Sequence, residues 1–254
     1  MDLSRIIFSL REFFFPGGCP LCGASLFTEA ETWYGLCRDC LGEILAETDG
    51  ERCQICGRPL ISEMGTCLSC RNNGERHYDR LLVLYPYTGR FRGLLGAYKF
   101  DKSLGLGNFF AERIRENLEQ LLPPEAPAVK DAAGAGQVLF KGVPAIVPVP
   151  PRPGKVKKTG WDQIEYLARL LEREPRKRGR RIYGIPAGRD ASGLAAGGGE
   201  HPRIPSLPVC RCLKRLPSKS QKELNRKERG INLRGRIVLT GTPPETAVLI
   251  DDVI

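Results

Sequence analysis

Eight of the ten cysteines stand in four pairs with two residues between partners: Cys19 and Cys22, Cys37 and Cys40, Cys53 and Cys56, Cys67 and Cys70. A pair at that spacing lets one tight turn point two thiolates at a single ion, and two such turns complete the tetrahedral S4 shell that zinc prefers. One pair alone could serve redox chemistry, but four do not suggest a thioredoxin-like dithiol. The array is also an internal repeat. Cys-Pro-Leu-Cys-Gly-Ala-Ser-Leu at 19–26 matches Cys-Gln-Ile-Cys-Gly-Arg-Pro-Leu at 53–60, and Gly35-x-Cys37-x-x-Cys40 matches Gly65-x-Cys67-x-x-Cys70. A duplicated unit should be self-contained, which assigns one zinc to Cys19, Cys22, Cys37 and Cys40 and a second to Cys53, Cys56, Cys67 and Cys70; an interleaved arrangement is the alternative. Gly23 and Gly57 fit the knuckle turns, where a backbone free to take positive φ can follow the metal-bound sulfurs. With every ligand supplied by protein, neither ion has an open position, so its role is structural: roughly fifty residues bury too little apolar surface alone, and zinc contributes about 10 to 16 kcal/mol to such folds. Cys210 and Cys212 lie apart from this array and read as incidental thiols in a loop or strand.

Three further stretches could carry chemistry. Residues 247–254, Ala-Val-Leu-Ile-Asp-Asp-Val-Ile, read as a buried parallel strand delivering Asp251 and Asp252 at its C-terminal end, where ligands of open α/β sheets sit. Adjacent carboxylates there can accept from two ribose hydroxyls and help hold magnesium. Ile146-Val147-Pro148-Val149-Pro150-Pro151 ends another strand and feeds a basic loop with Lys155, Lys157 and Lys158, after which Gly160-Trp161-Asp162-Gln163 opens a helix. Such a turn offers backbone N–H groups and cations to a phosphate. Leu213-Lys214-Arg215, Ser220-Gln221-Lys222-Glu223-Leu224 and Glu228-Arg229-Gly230-Ile231-Asn232-Leu233 lack a plain apolar stripe and suit a mobile loop closing on an anion. His77 and His201, the two histidines, receive no role.

The elements that must position these groups alternate between strand and helix from Tyr78 onward, which predicts a mostly parallel sheet with helices on its faces, an α/β domain. Strands are expected at 80–87, 145–149, 237–239 and 246–251, and helices at 91–100, 106–122 and 162–174, the last striped by Ile164, Leu167, Leu170 and Leu171. Residues 123–142 and 175–208 are rich in Pro, Ala, Gly and Arg and read as flexible insertions. Leu3, Ile6, Ile7, Leu10, Phe13 and Phe14 have helical spacing, so 1–18 reads as an amphipathic helix, followed by the ribbon at 19–76 and the α/β domain at 77–254.

The chain has 254 residues, room for one ordinary domain and a small one. Its formal net charge is +10, and residues 152–236 hold 23 Lys and Arg against 8 Asp and Glu, so the rest is mildly acidic. That segment would attract phosphate, whether of a nucleotide, a nucleic-acid backbone or a sugar phosphate. Arg5, Arg11 and Glu12 interrupt the apolar N-terminus, no small-residue cleavage site follows, and no run approaches the about 18 apolar residues of a membrane span, so a cytoplasmic location is expected. In a reducing cytosol paired cysteines favour metal over disulfides.

The four cysteine pairs, Lys99-Phe100, Val147-Pro148-Val149-Pro150, Gly160-Trp161-Asp162-Gln163, Ser220-Gln221-x-x-Leu224-x-x-x-Glu228-Arg229-x-x-Asn232 and Leu249-Ile250-Asp251-Asp252-Val253 together resemble the ComF family, competence-associated proteins with a double zinc ribbon and a type I phosphoribosyltransferase domain. By that resemblance Asp251 and Asp252 would bind the ribose of phosphoribosyl pyrophosphate with magnesium. The turn of Pro148, Pro150, Lys157, Lys158 and Gly160 would face pyrophosphate, and Lys214, Gln221, Arg229 and Asn232 would belong to the flexible loop. Thr159 stands where the family usually has Arg, and Asp162 where it usually has Asn. The family continues after Asp-Asp-Val with an x-Thr-Thr-Gly-x-Thr loop, whereas this sequence stops at Ile254, so the expectation is a C-terminally truncated chain without its 5′-phosphate cradle, binding the donor weakly or not at all and inactive as an enzyme.

Three functions follow from the resemblance: an accessory factor handling single-stranded DNA with DNA-uptake partners, a phosphoribosyltransferase with an unnamed acceptor, or a zinc-organised module that binds nucleotide without turnover. One fold hosts many functions, so fold alone does not separate them.

Overall fold

The computed structural model describes residues 17–46, 51–53, 55–72, 77–79, 81–121, 144–173, 206–217 and 232–252. The expected N-terminal helix, the insertion at 123–142 and most of the one at 175–208 lie outside them. The chain divides into two compact units, Met1–Leu106 and Gly107–Ile254. The segment 77–106, expected to open the α/β domain, therefore clusters with the cysteine-rich unit.

The first unit repeats one local fold. In the first copy Cys19 donates its N–H to Ala24 O at 2.8 Å, Gly23 donates to Cys19 O at 2.8 Å, and Leu26 closes back on Gly17 O at 2.7 Å. In the second, Cys53 donates to Arg58 O, Gly57 to Cys53 O and Leu60 to Glu51 O, each at 2.8 Å. Gly23 and Gly57 have φ of 78° and 67°, the left-handed values that only glycine takes without strain. Beyond this knuckle the copies differ. The first inserts α1 (Glu29–Tyr34), started by a capping box between Thr28 and Glu31 and stopped by Gly35, then α2 (Arg38–Ala46). Ala30, Tyr34, Leu36, Leu41 and Ile44 are buried there and make a small apolar core. The second copy has only α3 (Leu68–Asn72), which buries no residue.

Residues 81–87 form no strand, contrary to the sequence expectation. Leu81 donates its N–H to Ile55 O at 2.9 Å, and Val83 lies against Gly57, so this apolar stretch is spent on covering the second knuckle instead of joining a sheet. Then come α4 (Gly89–Phe100), burying Phe91, Leu94, Ala97 and Tyr98, and α5 (Leu104–Leu121).

In the second unit β1 (Ala145–Pro148) pairs in parallel with β4 (Ala247–Ile250), in the register Ala145 with Ala247 through Pro148 with Ile250. On its other edge Ile146 bridges Val209, also in parallel, so β1 is central and fully buried. β4 departs from the expected buried strand: Ile250 is buried but Leu249 is exposed, because among the described residues it is paired on one edge only. β2 (Leu213–Arg215) and β3 (Ile237–Leu239) make a separate antiparallel pair. Between β1 and the sheet's covering helix α7 (Gln163–Glu172) lies the short α6 (Lys155–Thr159), bounded by Gly154 and Gly160 at φ 79° and 76°. The stripe of α7 matches its spacing in the sequence, with Ile164, Leu167 and Leu171 buried. α5 packs so close to α7 that a Cβ on Gly107 would meet the Tyr166 ring at 2.7 Å. The Arg115 guanidinium on α5 donates to the carbonyls of Leu170, Leu171 and Arg173 at 2.7, 3.0 and 2.7 Å, satisfying acceptors that the end of α7 leaves open.

Candidate functional sites

The two knuckles of each repeat bring their sulfurs together sequentially: Cys19, Cys22, Cys37 and Cys40 form one cluster, and Cys53, Cys56, Cys67 and Cys70 the other, with all ligand atoms of a cluster within 4.8 Å of one another. The interleaved alternative is thereby set aside. Four sulfurs around an ion at about 2.3 Å would stand about 3.8 Å apart at the corners of a tetrahedron. The Cys22 and Cys37 sulfurs are 3.5 Å apart and those of Cys56 and Cys67 3.7 Å, so the donor sets fit zinc in size as well as chemistry. All four positions are filled by protein, which makes both sites structural.

The thiols of each cluster are electrostatically unequal in the same order. Burial opposes the Cys19 thiolate, but the N–H groups of Cys37, Cys22 and Leu21 outweigh it and bring the thiol down to about 7. Cys53, against the same opposition, is brought to about 6 by the N–H groups of Cys67, Cys56 and Ile55. The last ligand goes the other way: burial, then the neighbouring sulfurs, push Cys40 far up and Cys70 up to about 12. Four thiolates cannot share so small a volume unless a cation replaces their protons.

Each cluster is braced by one carboxylate that sequence reading passed over. Glu31 accepts from Arg38 N at 3.1 Å, and Glu63 from Leu68 N at 3.5 Å, in each case the residue that follows the third ligand and opens a helix. Glu31 also accepts from the Thr28 N–H and hydroxyl. Burial works against the Glu31 carboxylate, yet these bonds hold it below its ordinary range; Glu63 is lowered chiefly by the Leu68 N–H. Thr28-Glu-Ala-Glu31 is a legible capping-box signature.

In the second unit the predicted residues gather at the C-terminal ends of β1 and β4. Pro148 and Ile250 are opposite one another, Val149 donates to Ile250 O at 3.1 Å, and the chains leave as Pro150 on one side and Asp251-Asp252 on the other. Lys157 and Lys158 are exposed on α6, and Gly160 ends it. A polar chain ties the two exits. Asp162 Oδ1 caps α7 by accepting from Ile164 N at 3.1 Å and Glu165 N at 3.0 Å, while its Oδ2 accepts from Lys155 Nζ at 2.5 Å. Lys155 also donates to Gln163 Oε1, and Gln163 Nε2 donates to Asp252 Oδ2. Asp162 and Gln163 are both buried, so the motif Gly-Trp-Asp-Gln is a wired corner. Arg215 is lowered by burial and then by the positive Arg152, and raised by Asp251, which places two guanidiniums and a carboxylate in one neighbourhood. In the sequence Arg215 reads as part of a mobile loop closing on an anion, and Arg152 only as part of a general basic excess.

The loop residues divide. Lys214 is the middle residue of β2, paired with Val238, so its expected place in a mobile loop gives way to a strand. Its neighbours Leu213 and Arg215 are half-buried, which is the alternation a strand needs. Asn232 is half-buried beside the undescribed 218–231. Gln221 and Arg229 lie outside the described residues.

Comparison with known families agrees with the first unit. Residues 10–71 match the family model of the double zinc ribbon domain. Neither a curated protein nor a solved structure matches the chain. The protein thus carries a zinc-binding double zinc ribbon beside a mixed helix and strand unit with a small parallel sheet. Among the described residues no helix is long and apolar enough to cross a membrane.

Proposed function

We propose that this is a ComF-type protein of the cytoplasm, in which the double ribbon is a zinc-built scaffold and the second unit is phosphoribosyltransferase-like, and that it assists the handling of single-stranded DNA together with DNA-uptake partners. The observation that carries the reading is the meeting of the β1 and β4 exits. There Asp251 and Asp252 stand beside the Pro150 turn, with Gln163 bonded to Asp252 and with Arg152 acting on Arg215. A site in which burial and a second guanidinium both disfavour the charge on Arg215 gains when an anion arrives. Lys157 and Lys158 add exposed charge on the same turn.

The test is fluorescence anisotropy of a labelled oligothymidylate over a salt series. Binding should weaken with salt on a logarithmic slope of about 0.7 per phosphate neutralised, and Arg152→Glu with Lys157→Glu should flatten that slope. No binding at low salt would remove the direct-contact reading. The runner-up, a phosphoribosyltransferase, is favoured by the paired carboxylates at the end of β4. Magnesium-dependent pyrophosphate release from the phosphoribosyl donor, lost in Asp251→Asn, would establish it; magnesium would be held by those carboxylates and the donor together. Donor or nucleotide binding without release would mark a non-catalytic nucleotide-sensing module.

A further inference from the structure

The thiols of Cys210 and Cys212 belong to neither zinc cluster. They occupy the stretch between the parallel bridge at Val209 and the start of β2 at Leu213. The antiparallel register of β2 with β3 continues backward through it: Leu213 is opposite Leu239, Thr240 N donates to Cys212 O at 2.8 Å, and the Cys210 thiol reaches Thr242 O at 3.9 Å. Cys210 N also donates to Ile146 O of β1 at 2.8 Å. The chain here is drawn out as a strand, and alternate residues of a strand face the same side. Burial, and next the Cys210 thiol, push the Cys212 thiol above its usual value. Cys212 is buried, whereas Cys210 is half-exposed and open to solutes.

We propose that Cys210 and Cys212 form a redox-active dithiol that closes to a reversible disulfide on reaction with a hydroperoxide. Two strand residues apart, their Cα atoms are about 6.4 to 6.8 Å from each other, the upper end of what a disulfide spans, and their Cβ atoms, on parallel bonds, must draw in from a like separation to the about 3.5 to 4.5 Å that the bond needs. Closure therefore shortens the strand and gives a bond that low-molecular-weight thiols reopen readily. The Cys210 thiolate attacks one peroxide oxygen; the O–O bond breaks, alcohol or water leaves with a proton, and Cys210 becomes a sulfenic acid. The Cys212 sulfur then attacks that of Cys210, the S–S bond forms, the S–O bond breaks, and the hydroxyl leaves as water with the Cys212 proton. One hydroperoxide is reduced by two electrons and two thiols are oxidised by two. Because Cys210 is bonded to Ile146 and Cys212 to Thr240, closure pulls on β1 and β3 together.

The experiment treats the zinc-loaded full chain with a few equivalents of hydrogen peroxide, alkylates free thiols after denaturation, and maps the tryptic products by mass. The expected product spans Ile204 to Lys214, held together by the cross-link whether or not trypsin cuts at Arg211. It is lighter by two hydrogens than its reduced form, carries no alkyl group, and takes two after dithiothreitol. A chromogenic chelator present throughout should report no zinc release before this product appears. Cys212→Ser should leave Cys210 trapped as sulfenic or sulfinic acid. The proposal is overturned if both thiols stay alkylatable while zinc is released, if Cys210 in the unaltered chain goes to sulfinic acid without the cross-link, or if it pairs with a ribbon cysteine.

Discussion

Gln163 donates through Nε2 to Asp252 Oδ2, while its Oε1 accepts from Lys155. One neutral amide thus joins a cation at the β1 exit to a carboxylate at the β4 exit, its bond to Asp252 spanning 89 residues of sequence. Replacing it with leucine keeps the volume but leaves Asp252 without that partner. Gln163→Leu should destabilise the second unit by about 1 to 3 kcal/mol, read from chemical denaturation. Gln163→Glu puts a second carboxylate against Asp252. Made on a Lys155→Met parent, so that no ammonium faces this position, the introduced group titrates above its unfolded value, and its cost is small in acid and grows as pH rises through the folded value. A denaturation midpoint for Gln163→Glu that does not fall with pH relative to the parent would refute the contact.

Zinc affinity should fall steeply in acid. The last ligands, Cys40 and Cys70, are pushed up, the latter to about 12, so both carry protons at neutral pH and the ion must displace them. The first ligands, at about 7 and about 6, take up their protons around and below neutrality. Binding therefore releases protons at every pH above these values, and more when all four sulfurs start protonated. Competition with a chromogenic chelator between pH 6 and pH 8 should show affinity rising by more than tenfold per unit. A slope of one proton or less would mean that fewer thiols titrate than the clusters contain.

The two knuckle glycines should differ in how far they tolerate alanine. Both have positive φ, which costs a residue with a Cβ about 1 to 2 kcal/mol. A Cβ on Gly23 meets nothing within 4 Å, whereas one on Gly57 collides with Val83. Gly23→Ala should thus lower stability by the backbone cost alone, and Gly57→Ala by a further 1 to 3 kcal/mol, about what overpacking costs. Equal melting temperatures for the two variants would sink the claim that 81–87 covers the second knuckle.

That covering segment shows where the sequence was legible and where it was not. The cysteine clusters could be read because a knuckle is a local object: two sulfurs, one glycine and one closing hydrogen bond fix it. The stripe of α7 could be read for the same reason, since Ile164, Leu167 and Leu171 share a face through spacing alone. The strand expected at 80–87 failed because an apolar run says that a segment is covered and not by what; Leu81 found its partner in Ile55. Leu249 misled in the opposite sense, being apolar by type yet exposed on a strand that, among the described residues, is paired on one edge. The Gln163 bond to Asp252 and the guanidinium pair of Arg152 and Arg215 join distant stretches, and no spacing rule connects them.

Asp162 offers the sharpest dissection, because its two oxygens do different work. Oδ1 caps the two N–H groups of Ile164 and Glu165, and Oδ2 holds Lys155. Asp162→Asn keeps a cap acceptor but removes the charge facing Lys155. That ammonium would then be left between two neutral amides, the new one and that of Gln163, with the Asp252 carboxylate bonded to the other end of Gln163. Asp162→Ala removes both functions. The alanine variant should lose about 2 to 3 kcal/mol, with about 1 kcal/mol of it from the cap and the rest from a charge-assisted hydrogen bond whose lysine keeps part of its water. The asparagine variant should lose less, by at least the cap, and its loss should shrink if Lys155→Met is added, since no cation then remains to be stranded. Chemical denaturation of the two single variants and of the combination of Asp162→Asn with Lys155→Met decides it. If Lys155→Met does nothing to the cost of Asp162→Asn, the ion pair contributes no stability, and Asp162 serves α7 as a cap alone.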